Sequence, residues 1–99
     1  MLERMSLLRN DPEAARRLFE RARRGDVDAQ YALGLSYAEG RGVAIDDARA
    51  YFWLSQACAQ GDGEARILRN IVARDMSEDA FQQARRMCDT PDYMQHIEL

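Results

Sequence analysis

The chain predicts an all-α fold, a short α-solenoid of antiparallel helical hairpins closed by a C-terminal capping helix. Three observations carry that prediction. Hydrophobic residues make up 46% and charged residues 31% of the 99 residues, with two Pro and six Gly, a globular helical composition. Helix start and stop signals follow one another at short intervals. Finally, a shift of 36 positions lays the sequence on itself: Gly25-Asp26 falls on Gly61-Asp62, Ala29 on Ala65, Leu18 on Leu54, Ala14 on Ala50 and Ala22 on Cys58. A period of that length marks stacked helical hairpins.

Leu2, Met5 and Leu8 are spaced for one face of a short N-terminal helix. Asp11, Pro12 and Glu13 then form a start signal, with Asp11 as N-cap and Pro12 at the first helical position. The helix that follows, Pro12 to about Arg24, carries Ala14, Ala15, Leu18, Phe19 and Ala22 on one stripe, and Gly25 stops it. Its other face holds Arg16, Arg17, Glu20, Arg21, Arg23 and Arg24, a solvated face. After Asp26 a second helix runs from Val27 to Glu39 and ends at Gly40-Arg41-Gly42, a turn that uses backbone dihedrals open to glycine. Asp46 or Asp47 caps a third helix to about Gln60, with Ala50, Trp53, Leu54, Ala57 and Cys58 inward; Gly61 closes it. Asp62 opens a fourth to about Arg74, with Ala65, Leu68 and Val72. Ser77 caps a fifth to about Cys88, with Ala80, Phe81, Ala84, Met87 and Cys88 on one side, and Thr90-Pro91 starts a last turn through Ile97. In this register residues 1–99 form one domain: 11–25 a leading half-repeat, 26–61 a full repeat, 62–74 a trailing half-repeat and 76–99 the cap.

No apolar run is long enough to span a bilayer, and Glu3, Arg4 and Arg9 interrupt what would be a signal-peptide core, which points to the cytoplasm. Cys58 and Cys88 lack metal-ligand spacing and are expected as small buried packing residues, unlinked. Net charge is −3, unevenly placed: residues 1–25 hold seven Arg against four acids, the remainder seven against thirteen. Every basic residue is Arg, which fits a GC-rich bacterial coding sequence. Guanidinium groups also suit phosphate contacts. Against nucleic acid as a partner stands the acidic balance of the whole.

Within residues 29–65 the pattern A-x-x-A-L-G-x-x-Y-x-x-G-x-G-V-x-x-D-x-x-x-A-x-x-W-x-x-x-A-C-x-x-G-x-x-x-A resembles the Sel1-like repeat, a relative of the tetratricopeptide hairpin. The resemblance extends over about residues 11–88. It implies a right-handed stack of short hairpins and a non-enzymatic binding role, as adaptor or regulator of another protein. Small residues at Ala29, Ala32 and Gly34, facing Ala50, Ala57 and Cys58, would let two helices approach closely, with Tyr37 and Trp53 filling the space left. Arg17 and Asn10 replace the motif's Trp and Asp in the leading half-repeat, and Arg69 and Ala73 replace Leu and Tyr in the trailing one, as terminal repeats allow.

Tyr31, Leu35 and Ala38 lie opposite Ala29, Leu33 and Tyr37 on their helix, and one period later Ile67 and Ile71 take the places of Tyr31 and Leu35. By resemblance to tetratricopeptide arrays these positions line a concave, peptide-binding groove, here edged by Asp28, Glu39, Glu64 and Arg74. The alternative is that the stripe is covered by the leading helix, the C-terminal helix or a second copy of the chain, and fewer than three full repeats raises the case for a homodimer. Other readings are an inhibitor or immunity-type protein neutralising a bacterial enzyme through its acidic half, and nucleic-acid contact through Arg16, Arg17, Arg21, Arg23 and Arg24. No catalytic residues, metal ligands or cofactor are indicated. His96 stands without a nucleophile, and the pairs Asp46-Asp47 and Glu78-Asp79 sit at helix starts, where the dipole favours them.

Overall fold

In a computed structural model, which describes residues 11–99, the chain folds as α1 (Pro12–Arg23), α2 (Val27–Glu39), α3 (Asp47–Ala59), α4 (Gly63–Asp75), α5 (Glu78–Asp89) and the single turn α6 (Tyr93–His96). The described residues contain no strand. The helix expected from Leu2, Met5 and Leu8 lies outside them.

Each long helix starts on the residue its sequence signals. The carboxylates of Asp11, Asp26, Asp46 and Asp62 and the Ser77 hydroxyl accept the first free backbone N–H groups of α1 to α5 in turn, satisfying donors the helices cannot satisfy themselves. The stops repeat as well, with Gly25 and Gly61 both at φ 95°. At Gly42, φ is +76° and an added Cβ would lie 2.7 Å from the Asp11 carbonyl oxygen, so the α2–α3 loop rests directly on the start of α1.

Packing follows chain order: α1 on α2, α2 on α3, α3 on α4. The main core gathers Leu18, Phe19 and Ala22 of α1, Ala29, Ala32, Leu33 and Tyr37 of α2, Ala48, Ala50, Phe52 and Trp53 of α3, and Ala84 and Met87 of α5. Trp53 is fully buried and meets Phe19 and Phe52 edge-on, at centroid distances of 6.2 and 5.1 Å, an arrangement that suits the ring quadrupoles. Gly34 makes the closest approach. A Cβ there would sit 2.6 Å from Leu54 Cγ and 3.3 Å from the Ala50 carbonyl, so the small residue of α2 meets a large one of α3 as well as the small Ala50.

Two features depart from the sequence expectation. The cap helix α5 lies on α3, where Phe81 packs edge-on against Tyr51 at 5.5 Å, and does not shield Ile67 and Ile71 of α4, which are exposed among the described residues. Cys88 is exposed where a buried packing residue was expected, although its thiol still reaches Ser55 of α3; Cys58 is half-buried, and both thiols are free. Beyond α5 the chain returns to the centre: Tyr93 of α6 meets Phe52 at 5.2 Å, Ile97 joins the main core, and Arg49 Nη1 donates to the Glu98 carbonyl.

One buried polar cluster was not anticipated. The Gln30 side chain, 1% exposed, donates to the Ala22 carbonyl at 3.1 Å and accepts from Gln60 Nε2 at 2.9 Å. Gln60 also donates to the Gly25 carbonyl at 3.0 Å. These bonds tie the end of α1, the start of α2 and the end of α3 together, and they satisfy groups that burial would otherwise penalise.

Candidate protein-interaction site

The four apolar residues of the second stripe separate into two pairs. Tyr31 and Leu35 are buried, at 8% and 7% exposure, in a second cluster with Leu54 and Ala57 of α3 and Ala65 of α4, flanked by Val27, Leu68 and Val72. What covers them is α4, which the sequence reading had not counted among the possible covers. Stacking the next hairpin puts its first helix over the first helix of the hairpin before. Ile67 and Ile71, one period on, have no such neighbour among the described residues and are 59% and 44% exposed.

Where α2 and α4 diverge, a cleft of about 230 Å³ opens between them and the start of α3. Leu35, Ala38, Leu68, Ile71 and Val72 form its apolar lining, and Glu39, Asp47 and Asp75 contribute three carboxylates. Of the residues expected to line or edge a groove, Leu35, Ile71 and Glu39 therefore meet in one place, with Tyr31 buried in the adjoining cluster. Asp28, Ile67, Glu64 and Arg74 do not line this cleft. Asp28 and Glu64 stand in the first turns of α2 and α4, and Arg74 in the last turn of α4.

Glu39 and Asp75 are the last residues of α2 and α4, one period apart. A carboxylate at a helix C-terminus faces the negative end of the dipole, a placement helices otherwise avoid. Arg41 Nε donates to Glu39 at 2.9 Å. Asp47 and Asp75 have no ion-pair partner among the described residues, so this mouth keeps net negative charge. Leu68 and Val72 were legible only as core, and Asp75 not at all, although an acid at a helix end was a signal.

Elsewhere some charges are answered within the fold. On the arginine face of α1, Arg21 pairs with Asp26 at 2.8 Å, Arg23 with Glu20 at 3.6 Å and Arg17 with Glu13 at 4.0 Å, while Arg23 also lies over the Phe19 ring. Burial alone would push the Asp26 carboxyl up, but the Ala29 N–H and the Arg21 guanidinium outweigh it and hold its pKa below the ordinary value. The Cys88 thiol is pushed above its ordinary pKa chiefly by partial desolvation, which outweighs the lowering pull of the Ser55 hydrogen bond; the weaker effects of Asp89 and Arg69 act in opposite directions. That shift runs against thiolate reactivity. Among the described residues no group of three His, Cys, Asp or Glu is placed to hold a metal ion, and no helix is long and apolar enough to cross a membrane.

Antiparallel helices that repeat their caps, turns and packing at one interval define a helical-repeat protein. The sequence matches the Sel1 repeat at residues 5–26 and 27–62, more than half of the chain, and the protein belongs to the Sel1 repeat family. Sel1 repeats are generally protein–protein interaction modules. No curated protein and no solved structure matches the chain. The matched region stops at the N-cap of α4, just before the helix in which Arg69 and Ala73 depart from the repeat pattern.

Proposed function

We propose that the protein is a non-enzymatic adaptor or regulator that holds a segment of another protein in the cleft between α2 and α4. The observation that carries this reading is the pairing of an apolar lining, Leu35, Leu68, Ile71 and Val72, with the carboxylates of Glu39, Asp47 and Asp75. Such a cleft takes one or two apolar side chains, and its charge selects Arg or Lys beside them. Burial of the apolar anchors supplies affinity, while charge supplies orientation and on-rate. A cytoplasmic setting belongs to the same reading and rests on the two free thiols.

Selection of peptides from a displayed random library tests it. Wild-type protein should enrich sequences with Leu, Ile or Phe next to Arg or Lys, and the double variant Asp47→Lys, Asp75→Lys should lose them. Enrichment without basic residues, or binding indifferent to the double variant, would place the contact elsewhere.

A further inference from the structure

Residues 93–99 lie on the body of the fold as a bound peptide would. Ile97 is buried and Tyr93, Met94 and Leu99 are half-buried, while Gln95, His96 and Glu98 between them are exposed. The segment crosses α3 at Phe52 and Arg49, passes Gln30 of α2, and reaches a cavity that Leu99 lines together with Pro12 and Arg16 of α1. Its link to α5 is three exposed residues, Thr90, Pro91 and Asp92. Asp92 has φ +59°, the one positive value at a non-glycine residue among those described, and α6 starts without a side-chain cap. Aspartate enters that region more readily than most residues, but at some cost.

The polar groups of this channel are held by the fold independently of the segment in it. Arg49 lies 3.4 Å from the Asp46 carboxylate and donates to the Tyr37 hydroxyl at 3.3 Å, and from there it reaches the Glu98 carbonyl. A main-chain carbonyl is an acceptor that any peptide offers. Gln30, 1% exposed, is fixed by the Ala22 carbonyl and by Gln60, and its Nε2 also donates to Met94 Sδ at 3.9 Å. A thioether is a weak acceptor, so a buried donor faces the segment and receives less than an oxygen would give it. The fit is loose as well: cavities of about 310 Å³ beside Tyr93 and Met94 and about 370 Å³ beside Leu99 flank the segment.

We propose that residues 93–99 are a built-in, displaceable ligand, and that the channel they fill is a second protein-docking site held shut by the chain's own tail. The partner is a segment of another protein with large apolar side chains at the spacing of Tyr93, Ile97 and Leu99 and an oxygen acceptor, as in Gln, at the place of Met94. It competes with a tethered ligand whose effective concentration is on the order of millimolar, so the site is autoinhibited and opens only to a segment that fits better than the tail. This channel crosses α3, α2 and the start of α1, apart from the cleft between α2 and α4.

Fluorescence anisotropy of the full chain with a labelled peptide of residues 91–99 carrying Met94→Gln tests the proposal, with folding followed by circular dichroism. Ile97→Ser in the chain weakens its own tail and leaves the channel groups in place. This variant should bind the peptide at least about tenfold more tightly than wild type, whose tail competes. It should prefer the Met94→Gln peptide to the unaltered one by at least about threefold, the effect of one better hydrogen bond. The peptide with Ile97→Ser should not bind. If Ile97→Ser in the chain costs the fold, Asp92→Val supplies the same readout: a β-branched residue resists positive φ, so the tail lifts with its anchors unchanged and binding should again exceed wild type. Asp92→Gly eases the link and should weaken binding below wild type. Folded Ile97→Ser and Asp92→Val chains that bind no peptide, binding indifferent to Ile97→Ser in the peptide, or no preference for Met94→Gln would each overturn the inference. The double variant Asp47→Lys, Asp75→Lys should leave this binding unchanged; a loss would put the peptide in the α2–α4 cleft and overturn the second site while leaving the first.

Discussion

Helices α2 and α4 are each 13 residues long, stand one period apart and begin on the same kind of aspartate cap, yet they live in different surroundings. In α2, nine residues are buried, including polar Gln30 and Ser36; in α4 only Ala65 is. The difference is one of position in the stack. Helix α2 has α1 and α3 on its sides and α4 over its second stripe, whereas α4 rests mainly on α3 and only lightly on α2. Equivalent residues therefore carry different weight: Tyr31 is core and Ile67 is surface. Depth in the stack, more than apolar content, decides what a repeat helix contributes to stability and what it offers to a partner.

The largest effect expected from this contrast is at Gly34, whose register equivalent in α4 is Asn70. Gly34→Leu drives a side chain into Leu54 and the Ala50 carbonyl and should cost at least about 3 kcal/mol, as overpacking does. Asn70→Leu, on an exposed site, should stay within about 0.5 kcal/mol. Chemical denaturation of the pair measures both, and equal losses would show that α4 is packed as tightly as α2. A somewhat smaller gap separates Tyr31→Ala, expected to cost about 2 to 3 kcal/mol through an unfilled cavity, from Ile67→Ala, expected to cost under about 1 kcal/mol. Thermal melts of the two variants check that order, and a reversal would mean that the stripe of α4 is covered in solution even when dilute.

The smallest effect concerns pH. The folded-state pKa of Asp26 is held below the ordinary carboxylate value of 3.8, so its ionised form stabilises the fold in full above that value. This contribution is lost as pH falls through the lowered folded value. Asp26→Asn keeps a capping oxygen for the Ala29 N–H and gives up the charge. It should be less stable than wild type at neutral pH, and the two stability curves should converge in acid. Parallel curves would mean that Arg21 and the Ala29 N–H draw little from the charge.

Much of the fold was legible because its signals are local. Caps at Asp11, Asp26, Asp46, Asp62 and Ser77, and stops at Gly25, Gly40 and Gly61, act within a turn of their own position. The 36-residue interval then fixed which helices neighbour one another. Features that depend on residues far apart were harder to see. Amphipathic spacing shows that Tyr31 and Leu35 form a stripe but not that α4 covers it. Likewise α5 was expected over the open end of the array, and its aromatic Phe81 instead found Tyr51 on α3. Gln30 looked like any surface glutamine, because its partners, the Ala22 carbonyl and Gln60, come from two other helices. At the candidate cleft, the lining was readable as apolar period; its acidic mouth was not, since Glu39, Asp47 and Asp75 converge from three helix ends.

The returning C-terminal segment has a consequence for how the chain comes apart. Solenoids held only by nearest neighbours fray from their ends, one unit at a time. Here Ile97 is buried in the main core, the Glu98 carbonyl is held by Arg49, and Met94 lies 3.9 Å from Gln30, so the last residues fasten the middle of the array like a clasp. Amide exchange in α2 and α3 should accordingly speed up together once that clasp opens, a single cooperative loss where an unclasped array would unravel in stages.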